Sequence, residues 1–256
     1  MSGRLDGRVA LVTGIGAGIG KGIALRYAAE GATVLGCDIA ADRAEQTVAE
    51  AAAAGHRLTS LHPVDLTDPD GARRYVAAAQ PHGRVDILVN AAAIAPHLAT
   101  TADMDYATQF RPTLAGEVDI VFLVTQAAWP LLTASGRASI INFASVNSYR
   151  GSRSMGMVAH CAGKGAVLSM TRQLAVEGGP LGIRANTISC GLVKTAATDL
   201  AGATDGELSA SIVNRTLVGR LGEPEDVAWC AVYLGSAEAT WVTGADFPVD
   251  GGVRAA

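Results

Sequence analysis

Short apolar runs alternate with alanine-rich segments of helical length through the first half of the chain. The runs RVALVTG, ATVLGCD, RVDILVN and ASIINFAS are predicted strands. Segments between them, such as ADRAEQTVAEAAAAG, are predicted helices. Apolar strands that alternate with helices are typical of a parallel sheet covered on both faces. We therefore expect an α/β fold built on a doubly wound parallel sheet.

The second half continues this order and adds one irregular segment. Long helices are predicted over about 106–132 and 157–178, separated by a strand that ends at Ser145. After the strand IRANTIS, residues 190–220 lose periodicity before the helix EPEDVAWCAVYLGS and the strand DFPVDGG. Loose segments beside the carboxyl edge of a sheet commonly act as lids. Because there is no linker or repeat, residues 1–256 are expected to form one domain with a small substrate lid at 190–220.

Charge and composition exclude several classes of protein. The formal net charge is −4 and no run of Lys or Arg could follow a phosphate backbone, so we expect no nucleic-acid partner. We find no leader-like segment and no apolar run of about 18–20 residues, so we expect no membrane span and a cytoplasmic protein. The cysteines lack CxxC spacing, which argues against a zinc site and against a disulfide framework: Cys37, Cys161, Cys190 and Cys230.

Alternating glycines join the first predicted strand to the first predicted helix. The segment VTGIGAGIGKG contains Gly14, Gly16, Gly18 and Gly20. Glycines let backbone N–H groups approach a pyrophosphate, and the helix that follows directs its positive N-terminus at the same anion. The segment does not match GxGxxG strictly, and a tight turn without a ligand is the alternative. Its place between a strand and a helix nevertheless predicts a dinucleotide-binding loop.

Acidic and amide side chains are predicted at the carboxyl ends of the next strands. Asp38 closes the second strand, where a carboxylate can bind both ribose hydroxyls and would repel a 2′-phosphate. NAD is therefore preferred over NADP, although Lys21 and Arg43 keep a phosphate-binding alternative open. Asp65, at the end of a predicted third strand in HPVDLTD, and Asn90, at the end of the fourth, either contact the adenine and ribose or cap their strands.

Two titratable residues are predicted on one face of the helix over 157–178. In the segment MVAHCAGKGAV, His160 and Lys164 are four residues apart, so their side chains share a helix face. An apolar helix seldom carries two such groups on one side unless something outside the helix uses them. The pair is therefore a candidate catalytic site.

These motifs in this order resemble the short-chain dehydrogenase/reductase family over essentially the whole chain. TGIGAGIG is similar to the family's TGxxxGxG loop, VDLTD to its adenine-contacting segment, NAAA to its NNAG and INFASV to its serine-bearing strand. GRLGEPEDVAWCAVYLGSAEATWVTGADFPVDGG is similar to the common C-terminal segment. The resemblance implies a Rossmann fold, a nicotinamide cofactor, a small-molecule substrate and assembly as a homotetramer or homodimer.

Carried over residue by residue, the resemblance implies that Ser145 hydrogen-bonds the substrate oxygen and that Lys164 holds the nicotinamide ribose. The family's general acid/base is a tyrosine four residues before that lysine, and this chain has His160 there. The asparagine of the family's proton relay aligns with Glu117, and the proline of its PG motif with Cys190. These departures cluster at one site beside an intact cofactor loop, which indicates retained cofactor binding and altered chemistry.

The resemblance also implies the set of cofactor contacts, drawn from the glycine loop, the ends of the second to fourth strands, the lysine and the region after the PG motif. The expected residues are Gly14, Ile15, Gly18, Ile19, Gly20, Asp38, Ile39, Asp65, Leu66, Asn90, Ala91, Lys164, Gly191, Val193 and Thr195. No metal site is expected.

Histidine at position 160 changes the expected proton chemistry. Neighbouring cations favour a phenolate but disfavour an imidazolium, so His160 is expected to be neutral, which suits proton abstraction from an alcohol. A Glu117 carboxylate that reaches the ring would stabilise the imidazolium and give a pair that moves protons near neutral pH. Otherwise Glu117 pairs with Lys164. Because imidazole is shorter than phenol, the substrate or a bridging water must lie deeper in the site.

Three neighbouring side chains offer alternatives. Tyr149 could replace the missing phenol, although an aromatic wall of the substrate pocket is the preferred interpretation. His97, Glu117 and His160 could be imagined as metal ligands, but their spacing has no metal signature. Cys190 could be a nucleophile, although a thiol in this setting is more often a small apolar residue.

Three functions are compatible with these residues. The preferred one is an NAD-dependent oxidoreductase acting on a secondary alcohol or its ketone, with His160 as the acid/base. The second is an NAD-retaining lyase, isomerase or dehydratase in which Glu117 and His160 move protons. The third is a catalytically silent NAD-binding protein, and the titratable pair at the changed positions argues against it. The lid and the loop over 95–105 have no decisive charge, so we expect an uncharged or weakly polar substrate.

Overall fold

The computed structural model describes residues 3–152, 155–200 and 206–255. In these residues seven strands form one sheet in the order β3-β2-β1-β4-β5-β6-β7, and every neighbouring pair is parallel. The strands are β1 (Val9–Thr13), β2 (Thr33–Cys37), β3 (Leu58–Leu61), β4 (Ile87–Asn90), β5 (Ser139–Ser145), β6 (Arg184–Cys190) and β7 (Asp246–Val249). The predicted doubly wound sheet is confirmed, and its order reverses between β1 and β4, where such sheets bind ligands.

Helices cover both faces of this sheet. The described helices are α1 (Gly18–Ala29), α2 (Ala41–Ala53), α3 (Pro69–Ala77), α4 (Tyr106–Ser135), α5 (Val158–Gly178), α6 (Ala196–Leu200), α7 (Gly206–Val213) and α8 (Pro224–Gly235). Short 3₁₀ turns are present at Gln80–His82, Val146–Ser148, Gly179–Leu181 and Ala237–Ala239. Gly31 and Gly55 follow α1 and α2 with φ of 89° and 78°, the left-handed conformation predicted for them.

The core lies in two apolar layers, one on each face of the sheet. Every residue of β1, β4 and β5 is buried, as expected for central strands of a parallel sheet. Tyr27 and Tyr75 are fully buried, one in each layer. Their hydroxyls donate to the carbonyls of Ala231 at 2.7 Å and Leu35 at 2.8 Å, so neither polar tip is left without a partner.

The third strand ends earlier than predicted. Because β3 ends at Leu61, Asp65 does not close the strand. Pro63 follows the strand and has no N–H to donate to a ladder. The Val64 N–H instead donates to the carbonyl of Asp38 at 2.9 Å, which keeps the segment beside β2. Asp65 therefore lies in a loop at the same edge of the sheet.

Helix α4 departs from a regular α-helix. It contains two π-helical segments, Tyr106–Phe110 and Ala115–Asp119, and π turns are frequent at functional sites. The expectation that no apolar segment is long enough for a membrane span needs correction, because the helix over Tyr106–Ser135 passes that test by length and composition. In this fold the helix packs against α3 and β4.

The predicted lid is more regular than expected. Residues 190–220 include α6 and α7, and residues 201–205 lie outside the described residues. Both ends of the segment are tied to the body of the protein. Lys194 forms an ion pair with Glu223 at 3.1 Å, and the Leu217 N–H donates to the Gly251 carbonyl at 2.7 Å.

Candidate active site

A cleft of about 470 Å³ opens at the carboxyl edge of the sheet, beside the ends of β1, β2 and β4. Most of the predicted cofactor residues line it: Gly14, Gly18, Ile19, Gly20, Asp38, Ile39, Asp65, Leu66, Ala91 and Thr195. The strand order reverses at the same place, so the site occupies the position at which doubly wound sheets bind dinucleotides.

The glycine loop packs so closely on neighbouring backbone that Gly14 and Gly20 cannot carry side chains. Gly14 has a φ of 72°, and a Cβ on it would lie 2.8 Å from the Ala92 Cα. A Cβ on Gly20 would lie 2.1 Å from the Gly14 carbonyl oxygen. Helix α1 begins at Gly18 with no side-chain cap and no acidic residue in its first turn. Its N-terminal N–H groups are therefore available to an anion such as a pyrophosphate.

Asp38 is fixed at the end of β2 by the loop that it faces. Its Oδ2 accepts a hydrogen bond from the Gly16 N–H at 2.7 Å, and its Oδ1 accepts from the Ala40 N–H at 2.8 Å. Of the two cations considered as phosphate ligands, Lys21 is paired with Glu50 at 2.8 Å, whereas Arg43 lines the cleft. The cleft therefore presents one fixed carboxylate and one arginine near the second strand.

Several predicted cofactor residues lie away from the cleft wall. Ile15 is fully buried in the core, and Asn90 is 4% exposed, with its Nδ2 donating to Asn142 Oδ1 at 2.8 Å. Gly191 and Val193 line a separate cleft beside β7. For Ile15 and Asn90, only backbone atoms could contact a ligand, because both side chains are buried in the core.

The structure brings His160 and Glu117 into direct contact. His160 lies in the first turn of α5, and its Nδ1 is 2.5 Å from Oε1 of Glu117, which lies in the second π-helical segment of α4. The Glu117 side chain is 1% exposed and that of His160 is 14% exposed. An ionised carboxylate can only accept, so Nδ1 carries the shared proton and Nε2 is left as the second functional nitrogen.

Ser145 and Lys164 complete the group at the same edge of the sheet. Ser145 closes β5, and its hydroxyl oxygen accepts from the Asn147 N–H at 3.1 Å while its own O–H remains available to a ligand. Lys164 Nζ donates to the Phe143 carbonyl at 3.2 Å. The alternative in which Glu117 pairs with Lys164 is therefore not the arrangement that the structure has.

Gly163 is a part of this site that sequence reasoning missed. A Cβ at this position would lie 2.4 Å from Oε2 of Glu117, so only glycine leaves space for the carboxylate. That Oε2 atom is buried and has no hydrogen-bond partner among the described residues. A small residue three positions after His160, on the same helix face, is the sequence signal that could have identified it.

The alternative catalytic groups are engaged elsewhere or inactive. The Tyr149 hydroxyl donates to Asp246 at 3.0 Å, and burial together with that carboxylate raises its pKa. Burial raises the pKa of the Cys190 thiol to about 12, so the nucleophilic thiolate is scarce at neutral pH. His97 Nδ1 lies 3.2 Å from Thr113 Oγ1, and no cluster of metal-ligating side chains occurs within the described part of the chain.

A glycine loop at the switch point, an acid at the end of the second strand and a serine and lysine at the same edge define a class of nicotinamide-dependent oxidoreductases. Residues 14–254 match a family model described as Enoyl-(Acyl carrier protein) reductase. The chain belongs to the short-chain dehydrogenase/reductase family, as the resemblance of its motifs predicted.

Individual relatives match over nearly the full length. The chain is 38% identical to galactitol 2-dehydrogenase (L-tagatose-forming) of Cereibacter sphaeroides, over 97% of this chain and 96% of that protein. It is 33% identical to meso-2,3-butanediol dehydrogenase of Serratia marcescens, over 98% and 96%. A Beutenbergia cavernae protein assigned as an NAD(P) dependent gluconate 5-dehydrogenase, solved with NADP at low occupancy, superposes with a TM-score of 0.91 at 35% identity, covering 98% of both chains. The protein is thus an oxidoreductase of the type that acts on alcohols and ketones.

Proposed function

We propose that the protein is an NAD-dependent dehydrogenase that oxidises a secondary alcohol of a vicinal diol or polyol to a ketone. The observation that carries this proposal is the 2.5 Å contact between His160 and the buried Glu117, because it supplies a proton acceptor at the position of the family's tyrosine. Similarity to galactitol and butanediol dehydrogenases supports the substrate class.

Two of the three departures from the family pattern, His160 and Glu117, compensate each other in charge. A tyrosine alternates between a neutral phenol and an anionic phenolate, whereas a lone histidine alternates between a cation and a neutral ring. A histidine hydrogen-bonded to an ionised glutamate is again neutral or anionic as a unit. With Glu117, the site therefore alternates between a neutral and an anionic state, as a tyrosine would. Nearby cations such as Lys164 favour the anionic state.

Each side chain has a separate task in the proposed reaction. When bound, the cofactor supplies the hydride acceptor. The Ser145 hydroxyl donates to the substrate oxygen, and His160 Nε2 takes the hydroxyl proton directly or through a water. The Glu117 carboxylate stabilises the imidazolium through a charge-assisted hydrogen bond. Because Lys164 uses one N–H on the Phe143 carbonyl, two remain for the ribose hydroxyls.

We propose NAD as the cofactor because of the charges near the second strand. The Asp38 carboxylate lies where the adenosine ribose would bind, and it would repel a 2′-phosphate. Lys21 is neutralised by Glu50. Arg43, which lines the cleft, supports the alternative cofactor NADP. Dissociation constants for NADH and NADPH, measured by nicotinamide fluorescence, distinguish the two; tighter NADPH binding would contradict the proposal.

We also propose a cytoplasmic homotetramer or homodimer in which residues 190–220 cover the substrate. Exposed apolar side chains on the two long helices support association, since Phe122 on α4 is 48% exposed and Val176 on α5 is 70% exposed. Sedimentation equilibrium of the purified protein tests the assembly, and a monomer at micromolar concentration would contradict it.

The dehydrogenase proposal is tested by following NADH absorbance with purified protein, NAD and a panel of vicinal diols and simple secondary alcohols. We expect turnover that is faster with the diols. Cofactor binding without turnover on any diol, or on the matching ketones with NADH, would overturn the proposal and favour a silent NAD-binding protein.

A further inference from the structure

The Glu117–His160 pair is built as a buried carboxylate that holds an imidazole ring. Glu117 is 1% exposed, so its carboxylate faces little competing water and holds the imidazole ring in one orientation. With Nδ1 bonded to Oε1 at 2.5 Å, Nε2 is the atom free to accept a proton, and the described residues provide no partner for it. A neutral imidazole backed by a carboxylate can accept a proton from carbon as well as from oxygen.

The shorter reach of this base favours a neighbouring atom of the substrate. Imidazole is shorter than the phenol that the family carries at this position, so Nε2 would lie farther than a phenol oxygen from a substrate oxygen held by Ser145. That difference would admit a water or a substituent on the next carbon of the substrate. In an α-hydroxyketone, that next carbon carries a hydrogen that the carbonyl has already made acidic.

We propose that the Glu117–His160 pair also enolises α-hydroxyketones by exchanging the proton on the carbon next to the carbonyl. The inference rests on the proposed function, because oxidation of a vicinal diol yields an α-hydroxyketone whose carbonyl oxygen remains on Ser145. The protein therefore has a second activity, proton exchange and the isomerisation or epimerisation that follows from it, with no net redox change.

The step balances without any other reactant. His160 Nε2 takes the proton, the C–H electron pair forms a carbon–carbon double bond, and the carbonyl π electrons move to the oxygen that accepts the Ser145 hydrogen bond. The imidazolium, stabilised by Glu117, then returns its proton. Return to the same carbon gives exchange or inversion. Return to the former carbonyl carbon, with the hydroxyl proton of the next carbon passing to the former carbonyl oxygen, gives the isomeric carbonyl compound.

The experiment uses 1,3-dihydroxyacetone in D₂O with the full-length protein and saturating NAD⁺. This ketone has no secondary alcohol and NAD⁺ has no hydride to donate, so exchange is separated from reduction. Loss of the CH₂ proton signal is followed by NMR, and oxidation of 2,3-butanediol is followed in parallel by NADH absorbance. Circular dichroism and cofactor binding show whether each variant is folded.

We expect exchange above the buffer rate by the natural protein and about a 100-fold loss of that exchange in Glu117→Gln and in His160→Gln. The matched control is His62→Gln, which removes a partly buried histidine paired with Glu45 at 3.3 Å, and it should leave exchange unchanged. Diol oxidation without exchange would overturn the inference and leave the dehydrogenase proposal standing.

The remaining outcomes also separate the two proposals. Exchange without diol oxidation supports the inference and overturns the dehydrogenase proposal. Absence of both reactions overturns both. Exchange that persists in folded, cofactor-binding Glu117→Gln and His160→Gln assigns the reaction to another base and overturns the inference.

Discussion

The charge compensation between Glu117 and His160 predicts that the two residues can be exchanged together but not separately. Glu117→Asn and His160→Tyr each restore one residue of the family pattern, and the double variant restores both. Each single substitution creates a mismatch: a histidine without its carboxylate, or a phenol beside a buried carboxylate. We therefore expect a low kcat for diol oxidation in both single variants and a higher kcat in the double variant.

The magnitude follows from the contact geometry. The Glu117 Oε1 lies 2.5 Å from His160 Nδ1. A phenolate oxygen is farther from the backbone than Nδ1, and we take its separation from the carboxylate charge as about 6 Å. In an effective dielectric of about 20, their repulsion is about 3 kcal/mol, or about 100-fold in phenolate population. Loss of the charge-assisted hydrogen bond in Glu117→Asn is worth about 1.5–3 kcal/mol, or about 10- to 100-fold in rate.

The assay is kcat for diol oxidation by the four proteins, with the NADH dissociation constant and circular dichroism as controls. We expect the double variant to be at least about 10-fold faster than either single variant. If the two losses simply multiply, so that the double variant is slower than both, the residues act independently and the reasoning is refuted.

Four further substitutions test other parts of the site. Asp38→Ala should raise the NAD dissociation constant about 10- to 100-fold and narrow the preference over NADP, as measured by fluorescence titration. Tyr149→Phe should keep kcat within about 2-fold of the natural value, because the Tyr149 hydroxyl donates its hydrogen bond to Asp246. A loss of about 100-fold in kcat would identify Tyr149 as the catalytic phenol. Cys190→Ala should likewise keep kcat, and mass spectrometry should show no labelling of Cys190 by iodoacetamide at pH 7, well below its pKa of about 12. Gly163→Ala should lower kcat but not cofactor affinity, since its Cβ would lie 2.4 Å from the Glu117 carboxylate; equal kcat would show that the carboxylate has room to move.

The sheet and most helices are predictable because apolar runs and hydrophobic periodicity can be recognised locally in the sequence. β1 (VALVT) is an almost continuous apolar run, β5 (SIINFAS) has an apolar centre, and both strands are fully buried. The end of β3 is not predictable from VDLTD alone, because it depends on where Pro63 interrupts the ladder. The π-helical segments of α4 are also not predictable, since shifting a hydrogen bond by one residue leaves no mark in composition.

The sequence can propose the candidate site residues, but it cannot show which of them contact each other. Spacing identifies His160 and Lys164, yet only the packing of α4 against α5 shows that the carboxylate of Glu117 contacts the histidine and not the lysine. Likewise, motif position does not show that the Ile15 side chain belongs to the core. The role of Gly163 requires the position of Glu117, which lies on another helix.

The most direct test of the account is the oxidation rate of a vicinal diol by the natural protein and by Glu117→Gln, measured beside their NADH dissociation constants. We expect turnover by the natural protein and about a 100-fold lower kcat in the variant at unchanged cofactor affinity. Equal kcat in the two proteins, or no turnover by the natural protein despite cofactor binding, would contradict the claim that Glu117 and His160 together transfer the proton.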